Sequence, residues 1–330
     1  MKKTELDQLK EFLSTPKRVV ITTHKGPDGD AMGSSLALYN YLVKKGHQAH
    51  VITPNDYPYF LKWMKGDDQV IVFENYPQKA TEITQQADII FCLDFNTLSR
   101  IDTFQPVVES ARAYKVVIDH HQDPDTFDFN FSDPSACSTA QLVYEFFELM
   151  NETEMIDKSI ADCIYAGIMT DTGNFRFNSV TPKTHQIVAN LMQIGVRNDW
   201  VYDQIHDNAS LNRIQLLGYC LSEKLVVLDK LGVAYISLNQ AELKKYKFQK
   251  GDTEGVVNYA LTIKGITLAA FFVERDGIVK ISFRSKGKVA VNALAKNHFG
   301  GGGHINAAGG AFDEMSKAID TFCKVVTNYI

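Results

Sequence analysis

Five short runs rich in β-branched and other apolar residues recur within the first 121 positions: RVVITTH, HQAHVIT, QVIVF, ADIIFCLD and YKVVIDHH. Each has the length of a strand, and helix-capable or turn-rich stretches separate them. Alternation of this kind predicts βαβ units, whose parallel strands form a sheet covered by helices on both faces. After the first run, GDAMGSSLALYNYLVKKG sets Met32, Leu36, Tyr39 and Val43 at helical spacing, with Gly46 as the stop. STAQLVYEFFELM and DKSIADCIYAGIMTDTG read as two further helices, the second running into FRF.

From about Thr184 to Leu225 the pattern is helical, interrupted at Gly195, and then its character changes. LVVLD, VAYISL, ITLAAFFVER and IVKISFRS read as strands, and Asp276-Gly277 between the last two is a hairpin signal. DTEGVVNYAL, VNALAKNH and DEMSKAIDTFCKVV read as helices. The expected fold class is α/β. A doubly wound, mostly parallel sheet occupies residues 1–188, a helical connector 189–224, and a smaller α/β domain 225–330. A chain of 330 residues exceeds one ordinary core, which agrees with two domains.

The formal charge of -5 argues against a protein that tracks long nucleic acid, since such proteins present a basic surface to the phosphates. Small anions remain compatible, because a few local cations or metals can bind them. The five cysteines, Cys92, Cys137, Cys163, Cys220 and Cys323, form no CxxC pair and read as reduced thiols. MKKTELDQLKEF lacks the apolar stretch of a signal peptide, and no run reaches the roughly 18 apolar residues of a spanning helix. A soluble cytoplasmic protein is expected, without membrane or long-duplex partners.

The strands end in unusual residues. ITTHKGPDGD supplies His24, Asp28 and Asp30; FCLDF supplies Asp94; VVIDHH supplies Asp119, His120 and His121. In an open parallel sheet the carboxyl ends lie along one edge, so these groups are expected to converge. Asp171 in IMTDTG ends an apolar helix and precedes a glycine that permits a sharp turn. Taken singly, each acid is an ordinary cap or turn residue. Together, carboxylates and imidazoles without thiolates suit manganese or magnesium, with iron, cobalt or zinc admitted at the histidines. Five crowded carboxylates require neutralising cations, and two ions some 3.5 to 4 Å apart are the arrangement that clamps both oxygens in phosphoryl hydrolysis.

HKGPDGD, the isolated Asp94, the DHH triplet at 119–121 and Asp171 in TDTG resemble, in order, the four motifs of the DHH phosphoesterase family. The resemblance implies hydrolysis of phosphate esters with two Mn2+ ions, Mg2+ or Co2+ being alternatives. It implies that His24, Asp28 and Asp94 hold one ion, and that Asp30, His120, Asp171 and the bridging Asp94 hold the other. His121 is then expected at the scissile phosphate, catalysis falling to His121, Asp94 and His120 around an activated bridging water. Asp119 is expected to orient the histidines.

Near the C-terminus, FGGGGHINAAGGAF brings four consecutive glycines beside His304 and Asn306, donors suited to an anion. Arg284 in KISFRS carries a planar fork that suits bidentate phosphate binding. FRS and GGGH resemble the substrate-binding domain that accompanies DHH domains in one branch of the family. By that resemblance Arg284, Gly301, Gly302, Gly303, His304 and Asn306 bind substrate. The expected substrates are short single-stranded RNA and pAp, and family members often form homodimers. Two rival readings are a phosphodiesterase for linear or cyclic dinucleotides and a non-catalytic nucleotide sensor.

Overall fold

A computed structural model describes residues 3–275 and 277–330, which divide between Asn208 and Ala209 into two compact units. In the first unit the strands are β1 (Arg18–Thr23), β2 (Gln48–Thr53), β3 (Ile71–Val72), β4 (Ile89–Leu93), β5 (Tyr114–Asp119) and β6 (Phe129–Ser132). Their helices are α1 (Lys3–Phe12), α2 (Gly29–Lys44), α3 (Pro77–Gln85), α4 (Gln105–Ser110), α5 (Thr139–Met150), α6 (Lys158–Asp171), α7 (Pro182–Ile194) and α8 (Asn198–Ile205). The sheet order is β3-β2-β1-β4-β5-β6, and every pairing is parallel.

Alternation along the central strands sends side chains to two separate cores. Val19, Ile21, Phe91, Leu93, Val116 and Ile118 pack with α2, α5 and α6 on one face. Val20, Ile90, Cys92 and Val117 pack with Ala80 and Val108 of α3 and α4 on the other. A sheet covered on both faces reads as continuous apolar runs, which is how these strands were written. Chain order reverses between β1 and β4, so the loops after these two strands flank the crevice where α/β sheets bind ligands.

Several stretches are placed differently from, or more finely than, the sequence expectation. QVIVF contributes only the two residues of β3, since Asp67–Gln69 form a turn of 3-10 helix. FRF lies in turns, and β6, which pairs with β5, was not foreseen. The helical stretch 189–224 is shared between the units: Leu191, Val196, Val201 and Ile205 enter the first core, whereas Leu216 and Cys220 enter a core of the second.

The second unit contains α9 (Leu211–Tyr219), α10 (Gln240–Lys245), α11 (Val256–Leu261), α12 (Val291–His298) and α13 (Met315–Val325). Its strands are β7 (Leu225–Leu228), β8 (Val233–Leu238), β9 (Leu268–Arg275), β10 (Ile278–Ser285), β11 (Gly302–His304) and β12 (Ala307–Phe312). They form a mixed sheet ordered β11-β12-β10-β9-β8-β7, with only β8 and β9 parallel. β9 and β10 form the expected antiparallel pair, with Gly277 at φ +79°; Asp276 of the hairpin signal lies outside the described residues. No described helix is long and apolar enough to cross a membrane.

Candidate metal centre

The loops after β1, β4 and β5 bring the strand-end residues together with two helices. His24 follows β1 directly. Asp28 caps α2, accepting from the N–H groups of Asp30 at 3.0 Å and Ala31 at 3.1 Å. Its cap role and its place beside His24 and Asp94 coexist, because the cap uses one carboxylate oxygen. Asp94 follows β4 with φ +64°, a left-handed conformation that a non-glycine residue holds only where its surroundings impose it. Asp119 is the last residue of β5, and Asp171 is the last of α6.

Donor atoms of His24, Asp28 and Asp94 lie within 4.8 Å of one another, and so do those of Asp30, His120 and Asp171. Asp94 stands between the two groups. Its Oδ2 is 3.4 Å from His24 Nε2, and its Oδ1 is 3.5 Å from His120 Nε2. His120 Nε2 is also 3.6 Å from Asp171 Oδ2 and 3.9 Å from Asp30 Oδ2. His24 and His120 each direct Nδ1 to a backbone carbonyl, of Lys25 at 3.0 Å and Ala136 at 3.4 Å. That bond fixes the tautomer whose Nε2 lone pair faces the carboxylates, the form a metal ligand needs. His121 differs: its Nδ1 is held by Asp119 Oδ1 at 2.7 Å.

The helix packing that sets these distances depends on glycine. A Cβ on Gly33 of α2 would sit 2.5 Å from the Cys163 carbonyl oxygen and 2.9 Å from the Gly167 nitrogen, both backbone atoms of α6. A Cβ on Gly167 would meet Ala140 at 2.5 Å and Asp30 Oδ1 at 2.9 Å. Only bare glycines let α2, α5 and α6 close around the Asp30 carboxylate.

Burial makes the acids uncomfortable without a cation. Asp30 is 1% exposed and Asp94 3%. Burial and then the Asp171 carboxylate push the Asp30 carboxyl up to about 8. Burial and then Asp30 drive Asp94 well above the usual carboxylate range. Burial lowers the His24 imidazole, whereas at His120 burial is overcome by Asp171, Asp30 and Asp119, which raise it. Among the described residues Asp119 Oδ2 is buried with no hydrogen-bond partner. Crowded oxygen and imidazole donors without a thiolate fit hard divalent cations, which would displace the protons these acids otherwise retain.

Two buried contacts to this cluster come from a residue the sequence reading passed over. The Thr139 hydroxyl donates to Asp94 Oδ1 at 2.9 Å, and the Thr139 N–H donates to Asp30 Oδ2 at 2.6 Å. In the sequence, Thr139 follows Ser138 at a helix start and looks like part of an ordinary cap; Ser138 is the residue that caps.

A DHH family N-terminal domain matches residues 18–168, and a DHHA1 domain matches residues 229–330. The bifunctional oligoribonuclease and PAP phosphatase NrnA of Thermus thermophilus is 31% identical over 88% of this chain and 83% of its own length. This chain belongs to the DHH family. A second DHH relative, the Bacillus subtilis protein of the same name, is 29% identical over 98% of this chain and 99% of its own. The crystal structure of an exopolyphosphatase-related protein from Bacteroides fragilis superposes with a TM-score of 0.94 at 38% identity, covering 99% of this chain and 97% of that one.

In the DHHA1 part, Arg284, Gly302, Gly303 and His304 lie in strands of the second sheet, Gly301 directly precedes β11, and Asn306 lies in the turn between β11 and β12. Arg284 of β10 pairs with Ala307 of β12, which pairs in turn with His304 of β11. Residues directly opposite one another project from the same face, so Arg284 and His304 flank the small Ala307 on one side. That face is opposite to Phe283 and Ala308, which enter the core. The glycines have packing reasons of their own. A Cβ on Gly301 would lie 1.9 Å from the Gly309 carbonyl oxygen, and one on Gly303, at φ +140°, would lie 2.5 Å from that of Ala307. Gly302 meets nothing within 4 Å. Asn306 uses its amide nitrogen inside the domain, donating to Ser285 Oγ at 2.8 Å and the Gly287 carbonyl at 3.1 Å.

Proposed function

We propose that this chain is a two-metal phosphoesterase that cleaves short single-stranded RNA to mononucleotides and removes a phosphate from pAp. The observation that supports this most is the meeting of His24, Asp28 and Asp94 with Asp30, His120 and Asp171 around one shared carboxylate. The sequence belongs with relatives named for both activities. His24, Asp28 and Asp94 hold one ion; Asp30, His120, Asp171 and Asp94 hold the other. Mn2+ is the proposed metal, with Mg2+ and Co2+ tolerated by the same donors.

Bound cations cancel the carboxylate charge and supply Lewis acidity toward water and phosphoryl oxygens. The chain's own residues do the rest. Asp94 aligns the two groups of ligands by sharing its oxygens between them. Asp119 holds the His121 ring through Nδ1, which turns the opposite ring edge toward the scissile phosphate, where an imidazole can offset charge developing on the departing oxygen. Residues 1–188 carry this chemistry, 189–224 connect the two parts of the chain, and 225–330 bind substrate. Arg284 and His304 take a substrate phosphate from one sheet face, the Gly301–Gly303 backbone lies beside it, and Asn306 braces the neighbouring turn. A net charge of -5 leaves attraction to phosphates local, which suits short substrates and not long duplexes.

A labelled ladder of short RNAs, run with Mn2+ beside pAp and linear and cyclic dinucleotides, tests this reading. Short RNAs and pAp are expected to be consumed, and Asp94→Ala to abolish both activities. Turnover of the cyclic dinucleotide alone would favour a signalling phosphodiesterase, and no turnover of any substrate would favour a sensor.

A further inference from the structure

Within the five consecutive residues Ala136 to Ala140, three (Ala136, Thr139 and Ala140) touch candidate ligands that come from three separate parts of the chain. The Ala136 carbonyl accepts from His120 Nδ1 at 3.4 Å, the Thr139 hydroxyl donates to Asp94 Oδ1 at 2.9 Å, and the N–H groups of Thr139 and Ala140 donate to the two oxygens of Asp30 at 2.6 and 2.8 Å. The segment is fully built in. Ser138 and Thr139 are 0% exposed. Ser138 caps α5 by accepting from the Gln141 N–H at 3.0 Å, and Gln141 Oε1 accepts from Cys137 Sγ at 3.1 Å and from the Thr184 hydroxyl of α7 at 2.8 Å. The first turn of α5 is therefore fixed from behind by a second helix while its front faces the carboxylates.

Thr139 is the one residue of this turn that reaches both Asp30 and Asp94. Asp94 follows β4 in a left-handed conformation, and no helix or strand of its own fixes its carboxylate. Asp30 is fixed by α2 and by both amides. The Thr139 hydroxyl references the loop-borne acid to the helix-borne one. We infer that Thr139 is a positioning residue that holds the shared Asp94 carboxylate in register with Asp30, so that the ion bound by Asp30, His120 and Asp171 is taken up tightly. The hydroxyl also occupies one lone pair of Oδ1, which restricts the directions from which that oxygen can approach a cation. This rests on the two-metal reading proposed above.

Thr139→Val keeps the shape and the N–H donated to Asp30 and removes only the hydroxyl; Thr139→Ser keeps the hydroxyl and removes the methyl. Calorimetric titration of Mn2+ into the metal-free full chain, with melting recorded before metal is added, separates the alternatives. Two ions are expected in the wild-type chain. In Thr139→Val the affinity of one of them is expected to fall about 10- to 100-fold with little change in metal-free melting. Thr139→Ser is expected to restore the affinity. Should the valine chain fail to fold, Thr139→Ala against Thr139→Ser makes the same comparison. Unchanged Mn2+ affinity in the valine chain, or a serine chain as weak as the valine chain, overturns the inference while leaving the two-metal reading intact. A wild-type chain that takes up no Mn2+ overturns that reading, and the inference with it.

Discussion

Gly33→Ala tests whether helix packing sets the spacing of the ligands. The new Cβ would stand 2.5 Å from the Cys163 carbonyl oxygen, against about 3.3 Å for a close carbon–oxygen contact, so α2 and α6 must separate by roughly 0.8 Å. Alanine improves helix propensity by about 1 kcal/mol, while overpacking against rigid backbone costs about 1 to 3 kcal/mol. The net loss is therefore about 0 to 2 kcal/mol, and the metal-free chain should melt up to about 8 °C lower. Asp30 rides on α2 and Asp171 ends α6, so the same movement parts two ligands of one proposed ion. Ligand placement of this kind tolerates about 0.5 Å, and turnover should fall by about 10- to 100-fold. Thermal melting, Mn2+ calorimetry and turnover of a short RNA measure the three effects. An alanine chain that melts at or above the wild type and binds Mn2+ with wild-type affinity would refute the reasoning.

The Asp30 carboxyl lies near 8 in the folded state and near 3.8 when unfolded, so between these values the folded chain binds the extra proton. Stability of the metal-free protein should fall as pH rises from about 4 to about 8, by up to about 1.4 kcal/mol per pH unit from this group, and Asp30→Asn should flatten that slope. Mn2+ uptake at neutral pH should release protons, visible as heats that vary with buffer ionisation enthalpy; metal binding without proton release would contradict the raised carboxyls. Arg284→Ala should raise KM for short RNA about tenfold or more and leave Mn2+ uptake unchanged, whereas a parallel loss of metal binding would place Arg284 in a structural role.

The central strands β1, β4 and β5 are legible because burial on both faces leaves a nearly continuous apolar run, and the residues that end them are conspicuous for breaking it. β6 is not, since FNFS is short, half polar and defined by its partner β5. β11 consists of glycines and a histidine with no strand propensity of their own; it exists because β12 offers a backbone close enough to exclude any Cβ at Gly301 and Gly303. Gly33 and Gly167 lie inside helices where local propensity disfavours them, and only the crossing of α2 with α6 explains them. Thr139 was hidden for a related reason. A hydroxyl residue at a helix start has an ordinary capping use, and its second partner is 45 positions away in sequence.

Anomalous diffraction from crystals of the full chain soaked in Mn2+ tests the central claim most directly. Two peaks some 3.5 to 4 Å apart are predicted, with Asp94 in contact with both, His24 and Asp28 on one, and Asp30, His120 and Asp171 on the other. A single peak, or Mn2+ bound without Asp94, would contradict it.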